Sequence, residues 1–357
     1  MKTIKLVVSD FHLGKGRYLP SGQVNILEEF WADKNFAEFL THYSSGEYFD
    51  AEVELVFNGD IFDFLQVDYK GENIITLTEN IDVHKFNTII EGHPLFFSSL
   101  KKFCNNPNHK VSYVIGNHDQ SMLWPKVQRL FNKSINHPVK YKNIAYITNG
   151  VHIEHGHMYE AMNRSNPKKF FIKKNMPAPI LNLSLGSIFF VDFVLNIKKA
   201  YPSIDKVRPF DKMIVWSFIS KPVFMLKTLT KLLFWIIKVS ANLLPKRFSI
   251  TYIIKNAFVN SVFPSFTDSA KKILKRPSIH SVIFGHTHIY QYRQFSKEKE
   301  YFNTGTWTEL TSLDFEKLGK VTKMVYVLLD KKIDGTKFQG TLKEWKGYSH
   351  VESNIVI

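Results

Sequence analysis

The stretch Val53-Glu54-Leu55-Val56-Phe57-Asn58-Gly59-Asp60-Ile61-Phe62-Asp63 joins an apolar, β-rich run to a short acidic turn. The run predicts a buried strand, and the turn follows at its end. Four comparable polar stretches occur elsewhere, namely Asp10-Phe11-His12, Gly116-Asn117-His118-Asp119, His155-Gly156-His157 and Gly285-His286-Thr287-His288. Ligands of open α/β sheets usually bind where strands end. The five stretches therefore predict one shared site in an α/β fold.

The five polar stretches supply oxygen and imidazole ligands but no thiolate. This donor set is typical of hard-to-borderline divalent metal ions, and Mn, Fe, Zn and Mg all suit it. Glycines within the stretches let the backbone approach the ions closely. A metal centre is the function that the residues themselves indicate.

The order D-x-H, G-D-x-x-D, G-N-H-D, H and G-H-x-H resembles the calcineurin-like metallophosphoesterases. The resemblance covers roughly residues 1–160 and 277–330, and Tyr301 to Trp307 is similar to the N-x-G-[ST] strand end of that family. It implies an α/β fold, a four-layer αββα sandwich with a large, mainly helical and basic insertion. The implied divisions are a first core part at 1–165, the insertion at 166–276 and a second core part at 277–357.

The resemblance also implies two divalent metal ions, with manganese the first choice. One ion would be held by Asp10, His12, Asp60 and His288. The other would be held by Asp60, Asn117, His155 and His286, so that Asp60 bridges the pair. A hydroxide held by the ions would attack phosphorus in a phosphodiester or pyrophosphate. Two ions can clamp both the attacking and the leaving oxygen of such a displacement.

The family roles also imply that His118 and Asp119 are the catalytic residues. His118 would sit beside the scissile phosphorus, and Asp119 or Asp63 would orient a histidine. Contacts to substrate are expected from Asn117, His118, Tyr159, Asn163 and Arg164. His155 and His157 face the same side of an extended strand, which leaves His157 open as the alternative ligand.

The charge of the chain is concentrated in its middle. The net charge is +15, yet residues 164–276 hold 21 Lys/Arg against 4 Asp/Glu, whereas the remainder holds 26 against 28. Such a block predicts an anionic partner, which could be a membrane surface, a nucleic acid or a phosphorylated substrate. The lone Cys104 excludes an internal disulfide, and the charged start of the chain does not resemble a signal peptide. A cytoplasmic protein, peripheral on the inner face of the membrane, is expected.

The segment Lys221 to Leu244 has the clearest helical pattern of the insertion. Its lysines, Lys227, Lys231 and Lys238, share one face, and apolar residues fill most of the rest. The pattern fits a helix packed in the core or an interfacial helix on anionic lipid, with 221–247 as the contact. A membrane-spanning helix needs ~20 mostly apolar residues, and the lysines interrupt this run.

Within the family, the H-G-x stretch and the basic apolar insertion resemble the UDP-2,3-diacylglucosamine diphosphatase branch. That resemblance implies a lipid-linked or nucleotide-linked pyrophosphate as substrate. His118 stands where that branch typically has Arg, and the insertion here is longer. A nucleic-acid phosphodiesterase, or another soluble phosphodiesterase or phosphatase, is the alternative, because basic stretches with interleaved aromatics also suit single strands. A non-catalytic scaffold on the same fold is a third.

Apolar periodicity predicts the other elements. Val24 to Tyr43 reads as one amphipathic helix, and Ile81 to Cys104 as a helix bent near Gly92-His93-Pro94. Strands are expected at Ile4 to Val8, Glu52 to Phe57, Lys110 to Ile115, Ile144 to Thr148, Val151 to His155, Ile279 to Phe284 and Lys323 to Leu329. The tail from about Lys331 carries no interpretable pattern.

Overall fold

A computed structural model describes residues 2–208, 210–242, 251, 266–313, 319–331 and 337–348. Its strands, in chain order, are β1 (Thr3–Val8), β2 (Glu52–Asn58), β3 (His109–Val114), β4 (Lys140–Lys142), β5 (Ala145–Thr148), β6 (Val151–Glu154), β7 (Phe171–Ile172), β8 (Ile180–Leu181), β9 (Val207–Arg208), β10 (Ser281–Phe284), β11 (Tyr290–Ser296), β12 (Lys299–Thr304), β13 (Leu310–Ser312), β14 (Gly319–Val321), β15 (Met324–Lys331) and β16 (Phe338–Trp345). Every predicted strand is present.

Two large sheets carry the polar stretches. The first has the order β16-β15-β1-β2-β3-β4, and the second has the order β11-β12-β10-β6-β5. Strands β1 to β4 are parallel, as are β6, β10 and β12. The carboxyl ends of β1, β2 and β3 therefore lie at one edge of the first sheet, and those of β6 and β10 lie together in the second.

The helices, in chain order, are α1 (Asp33–His42), α2 (Glu79–Gly92), α3 (Pro94–Cys104), α4 (Pro125–Ile135), α5 (Leu185–Phe189), α6 (Leu195–Lys198), α7 (Phe210–Ser220), α8 (Pro222–Asn242) and α9 (Phe266–Leu274). A π-helical turn, Phe190–Val194, joins α5 to α6. The predicted bend near His93 is confirmed, because Pro94 starts a new helix there.

The four layers follow from the burial pattern. Residues of α1 to α4 pack on one face of the first sheet, where Phe36, Phe57, Phe62 and Phe96 are fully buried. A separate apolar cluster that includes Val7, Val56, Ile153 and Ile283 fills the space between the sheets. Side chains of α9, such as Ala270 and Ile273, cover the outer face of the second sheet. The predicted αββα sandwich is confirmed.

One prediction about an element was wrong in part. Helix α1 begins at Asp33, so the segment from Val24 to Ala32 is not helical. The buried carboxylate of Glu28 accepts hydrogen bonds from the amides of Gly14 (3.1 Å), Gly16 (2.7 Å) and Phe30 (3.1 Å), which holds this segment as a loop despite its helical periodicity. The tail after Lys331, for which the sequence pattern made no prediction, contains β16, which forms the edge of the first sheet beside β15.

The first part of the predicted insertion packs into the main core. Leu185, Ile188 and Val191 are buried in the same cluster as α1 to α4. Lys198 Nζ is fully buried and pairs with the carboxylates of Glu29 and Asp205. The ring of Phe190 in the π-helical turn lies 4.9 Å from the His118 ring, centroid to centroid, so this segment forms a wall beside the polar stretches. The boundaries at 165/166 and 276/277 stay predictions.

Helices α7 and α8 expose a concentration of large apolar side chains. One face of α8, including Trp235, Ile236 and Val239, is buried against the core. Other positions are open, with Ile219 77% exposed, and Leu226 and Phe234 each 67% exposed. Among the described residues, no helix is both long and apolar enough to cross a membrane. Residues 243–247 of the predicted membrane contact lie outside the described residues.

Candidate metal centre

The five polar stretches meet at the carboxyl ends of the parallel strands. Asp10 follows β1, Asp60 follows β2 and Asn117 follows β3, while His155 and His286 follow β6 and β10 of the second sheet. The backbone ties the loops to one another, because the amide of Asp10 donates to Gly59 O at 3.1 Å and the amide of Gly285 donates to His155 O at 2.9 Å. The site therefore bridges the edges of both sheets.

Three predicted ligands form a first cluster. Nε2 of His12 lies 3.1 Å from Nε2 of His288, and Oδ1 of Asp10 lies 3.4 Å from the same His288 nitrogen. The distance from His12 Nε2 to Asp10 Oδ1 is 4.0 Å. All three side chains are largely buried, so one ion could bind between these three atoms.

A second cluster joins Asp60, His155 and His286, whose ligand atoms lie within 4.8 Å of one another. Oδ2 of Asp60 is 3.0 Å from Nε2 of His155, and Nδ1 of His155 is 2.8 Å from the Asn58 carbonyl. That bond orients the imidazole so that Nε2 points into the cluster. Within the described residues, the buried oxygen Asn117 Oδ1 has no hydrogen-bond partner.

Asp63 links the first cluster to His118. Its Oδ1 accepts a hydrogen bond from His118 Nδ1 at 3.0 Å, and its Oδ2 lies 3.5 Å from His12 Nδ1. The backbone amide of His118 donates to Oδ1 of Asp60 at 2.8 Å. The His118 ring is thus held on one side by Asp63 and by Phe190 of the insertion, and its Nε2 is the atom left to meet a substrate.

Asp119 lies behind the ligands, where it holds loops together. Its Oδ2 accepts hydrogen bonds from the amide of Ile61 at 3.0 Å and the hydroxyl of Tyr113 at 2.5 Å, while Oδ1 accepts the amide of Gly116 at 2.6 Å. These donors fix the turn after β2 against the turn after β3. The described contacts place Asp63, rather than Asp119, at the imidazole of His118, and the catalytic role of Asp119 stays a prediction.

The backbone at the site is held in an uncommon conformation. Among the described residues, nine non-glycine residues have positive φ, and five of them are predicted ligands: Asp10 (56°), His12 (53°), Asp60 (54°), His286 (70°) and His288 (61°). Such a conformation costs about 1–3 kcal/mol per residue and concentrates at functional sites. The fold tolerates this strain at the very positions that aim side chains into the two clusters.

Two glycines make room for ligands of neighbouring stretches. A Cβ on Gly116 would lie 2.2 Å from Oδ1 of Asp60, and a Cβ on Gly59 would lie 2.5 Å from the ring of His155. Gly59 also has a φ of +83°. A side chain at either position would displace a ligand of the second cluster, which explains why the polar stretches need glycine there.

The carboxylates make the site strongly attractive to positive charge. Burial lowers the pKa of His12, but the hydrogen bond to Asp63 and the charges of Asp60 and Asp63 raise it to about 10. Burial likewise lowers the pKa of His155, whereas the charges of Asp60 and Asp10 raise it to about 9. Divalent cations bind neutral imidazole, so their binding would displace protons from these rings.

These residues fit a pair of divalent ions. Each cluster combines carboxylate and imidazole donors, and no thiolate is near either of them among the described residues. Asn117 Oδ1 is buried without a hydrogen-bond partner, and its role as a ligand stays a prediction. The donor set does not distinguish Mn from Fe, Zn or Mg.

The segment after β6 contains the alternative ligand His157 and three predicted substrate contacts, Tyr159, Asn163 and Arg164. His157 is buried, with its ring 5.4 Å from that of His155, but it belongs to neither ligand cluster. The Tyr159 hydroxyl donates to Glu154 at 3.1 Å, and Arg164 is exposed. Asn163 Nδ2 donates to Glu160 Oε2 at 2.9 Å. Their roles as substrate contacts stay predictions.

Sequence reasoning missed Glu160. Its Oε2 forms a hydrogen bond with Nε2 of His286 in the second cluster. Burial raises the pKa of Glu160, but the hydrogen bond and charge of His286, together with the hydrogen bond from Asn163, lower the pKa overall. The signal that could have found it is a carboxylate five residues after His155, within reach of the same strand end.

Comparison with known proteins gives only distant matches. No protein-family profile and no curated protein matches the chain. Among solved structures, a dimetal phosphatase from Danio rerio matches with 9% identity and a TM-score of 0.35, covering 96% of this chain and 99% of that one. The calcineurin-like phosphoesterase YfkN from Bacillus subtilis matches with 12% identity and a TM-score of 0.33, covering 97% of this chain and 91% of that one. Vacuolar Protein Sorting 29 from Cryptosporidium parvum matches with 11% identity and a TM-score of 0.32, covering 96% and 97%. Likeness at this level does not decide function, which must rest on the side chains of the site.

Proposed function

We propose that the protein is a two-metal phosphohydrolase of the calcineurin-like type, which cleaves a phosphodiester or pyrophosphate bond. The observation that carries the proposal is the convergence of two carboxylate–imidazole clusters, one at Asp10 and one at Asp60, beside His118, which belongs to neither of these two clusters. Two such ions when bound would activate water and neutralise charge on a phosphoryl group.

The protein's own residues orient the imidazole of His118, which can supply a proton. Asp63 holds Nδ1 of His118 at 3.0 Å, which directs Nε2 of that ring away from the carboxylate. Nε2 can then donate a hydrogen bond to a phosphate oxygen or give its proton to the departing oxygen. The insertion contributes Phe190, whose ring restricts how His118 can turn and keeps water from one side of it.

Hydrolysis of a soluble phosphodiester tests the reaction class. We expect the purified protein to hydrolyse bis-p-nitrophenyl phosphate when Mn²⁺ is supplied, and to lose this activity when a chelator removes the ion. Re-addition of Mn²⁺ should restore the rate. Failure of the fully metal-loaded protein to hydrolyse this diester, a nucleotide-linked pyrophosphate and a phosphomonoester would contradict the proposal.

We further propose that the substrate is lipid-linked and is reached at an anionic membrane surface. The support comes from α8, where one face is buried through Trp235 and Val239 and the opposite face exposes Leu226, Phe234 and Ile237. Lys227, Lys231 and Lys238 are exposed along the border of that apolar face. Apolar side chains bordered by lysines are typical of helices that lie in the headgroup region.

Vesicle binding tests the membrane proposal. The variant Lys227→Gln/Lys231→Gln/Lys238→Gln should bind phosphatidylglycerol vesicles roughly a hundredfold more weakly than the parent, because each lysine near an anionic surface contributes about 1 kcal/mol. Leu226→Glu/Phe234→Glu should also weaken binding, by removing the apolar face. Flotation with vesicles is the measurement.

Ile147→Glu provides the matched control, because Ile147 is 53% exposed on β5, outside α7 and α8. Its vesicle binding should equal that of the parent. If the parent protein did not bind phosphatidylglycerol vesicles but was fully active on soluble esters, the membrane proposal would be wrong. Steep salt-dependent binding and cleavage of an oligonucleotide would instead favour a nucleic-acid phosphodiesterase.

A further inference from the structure

The turn after β6 brings a carboxylate to His286, a member of the second cluster. The chain leaves β6 at Glu154, reverses at Gly156 with a φ of +110°, and forms a short 3₁₀ turn, His157–Tyr159. Glu160 follows directly, and its Oε2 meets Nε2 of His286. Asp60 belongs to the second cluster from the end of β2, and Glu160 lies next to that cluster through its contact with His286.

The position of Glu160 is fixed from both sides. Before it, the ring of Tyr159 stacks on Phe284 with centroids 5.3 Å apart, and the Tyr159 hydroxyl donates to Glu154 at 3.1 Å. After it, Asn163 Nδ2 donates to the same Oε2 at 2.9 Å. Asn163 is itself confined by the insertion, because a Cβ on Gly186 would lie 2.1 Å from its Oδ1. The carboxylate is therefore held rather than free to swing into solvent.

The contact at Nε2 of His286 decides what Glu160 can do. A carboxylate that only orients a metal-binding histidine meets the ring nitrogen remote from the ion. His155 illustrates that arrangement, because its Nδ1 is bonded to Asn58 O and its Nε2 points to Asp60. No described residue is bonded to Nδ1 of His286. An ion taken by His286 at Nε2 would lie beside Oε2 of Glu160.

We infer that Glu160 is a further ligand of the second metal ion, added to Asp60, Asn117, His155 and His286, and that it makes this position selective for a hard divalent cation. The inference rests on the proposed two-metal function. A second anionic oxygen strengthens the binding of oxygen-seeking ions such as Mn²⁺ or Mg²⁺. It also couples the cation to the insertion through Asn163 and Gly186.

Calorimetric titration of metal-stripped protein with Mn²⁺ tests the inference. The parent should bind two ions, and Glu160→Gln should bind one of them at least about tenfold more weakly, the lower limit for losing support of a metal site. Glu160→Asp should retain more affinity than Glu160→Gln, because it keeps the charge. Loading with Co²⁺ gives an independent signal, since loss of a ligand changes the visible spectrum of that ion.

Two comparisons make the result decisive. Asn163→Ala removes a neighbour of the same oxygen without removing a ligand, so it should weaken Mn²⁺ binding less than Glu160→Gln does. A glutamine at 160 keeps the shape and the hydrogen bond to His286, so an unchanged isotherm and Co²⁺ spectrum for Glu160→Gln would overturn the inference. A parent that binds two ions but hydrolyses no phosphoester would instead overturn the proposed function and leave the metal ligand standing.

Discussion

The variant Asp60→Asn should lose metal-dependent phosphoester hydrolysis by roughly a thousandfold or more, which corresponds to about 4 kcal/mol of transition-state stabilisation. Asparagine preserves the size of the side chain but removes the negative charge. In the parent, Oδ2 lies 3.0 Å from His155 Nε2, and Oδ1 accepts the His118 amide at 2.8 Å. Asp60 therefore touches both the second cluster and the loop that carries the proton donor.

The measurements are kcat/KM on a soluble diester and bound Mn²⁺ per chain, taken on the same preparation. Metal content should fall together with activity, because Asp60 supplies the carboxylate of the second cluster. Asp50→Asn is the matched control, because Asp50 is exposed just before β2, and it should behave like the parent. Full activity in Asp60→Asn would falsify the assignment of the site.

The variant His118→Ala should keep its metal and lose most of its turnover. Removal of a positioned acid or base typically costs about 10²–10⁴-fold in rate. The expected separation follows from the contacts, because His118 Nδ1 is taken up by Asp63 while His12 and His288 complete the first cluster with Asp10. Mn²⁺ stoichiometry near the parent value, together with a kcat lower by at least about a hundredfold, is the predicted result.

If His118→Ala raised KM and left kcat unchanged, His118 would be assigned to substrate binding rather than to proton transfer. His84→Ala controls for the loss of an imidazole, since His84 is exposed on α2, and its kinetics should match the parent. If His118→Ala loses metal as well as turnover, the cluster of His12, Asp63 and His118 binds an ion and the histidine is a ligand.

Local sequence patterns were sufficient to predict the strands and the loops that meet at their ends. A run such as Val53 to Phe57 must be buried on both faces, and β2 is buried between α-helices on one side and the second sheet on the other. Because parallel strands end at a common edge, Asp10, Asp60 and Asn117 could be brought together without coordinates. The αββα arrangement followed from the resemblance and is confirmed by the layers.

Interactions between distant parts of the chain could not be predicted in the same way. The loop at Val24 to Ala32 has helical periodicity, yet the Glu28 carboxylate binds amides at Gly14 and Gly16, which periodicity does not register. Glu160 reaches His286 across 126 residues, a pairing that no local pattern signals. Strand β16 is exposed at many of its positions and contains few apolar residues. Its sequence therefore gives no clear strand pattern.

The place of β1 between β2 and β15 bears on the synthesis of the chain. On one side, β1 pairs with β2, which is synthesised about fifty residues after it. On the other side, β1 pairs with β15, which begins only at Met324. At ~5–20 residues per second, the hydrogen-bonding groups on that side of β1 would await their partner for roughly 15–60 s while the chain is still on the ribosome. An open apolar edge of this kind favours wrong pairing with other nascent chains. A chaperone that binds the nascent chain would thus protect this edge during translation, before the metal site has assembled.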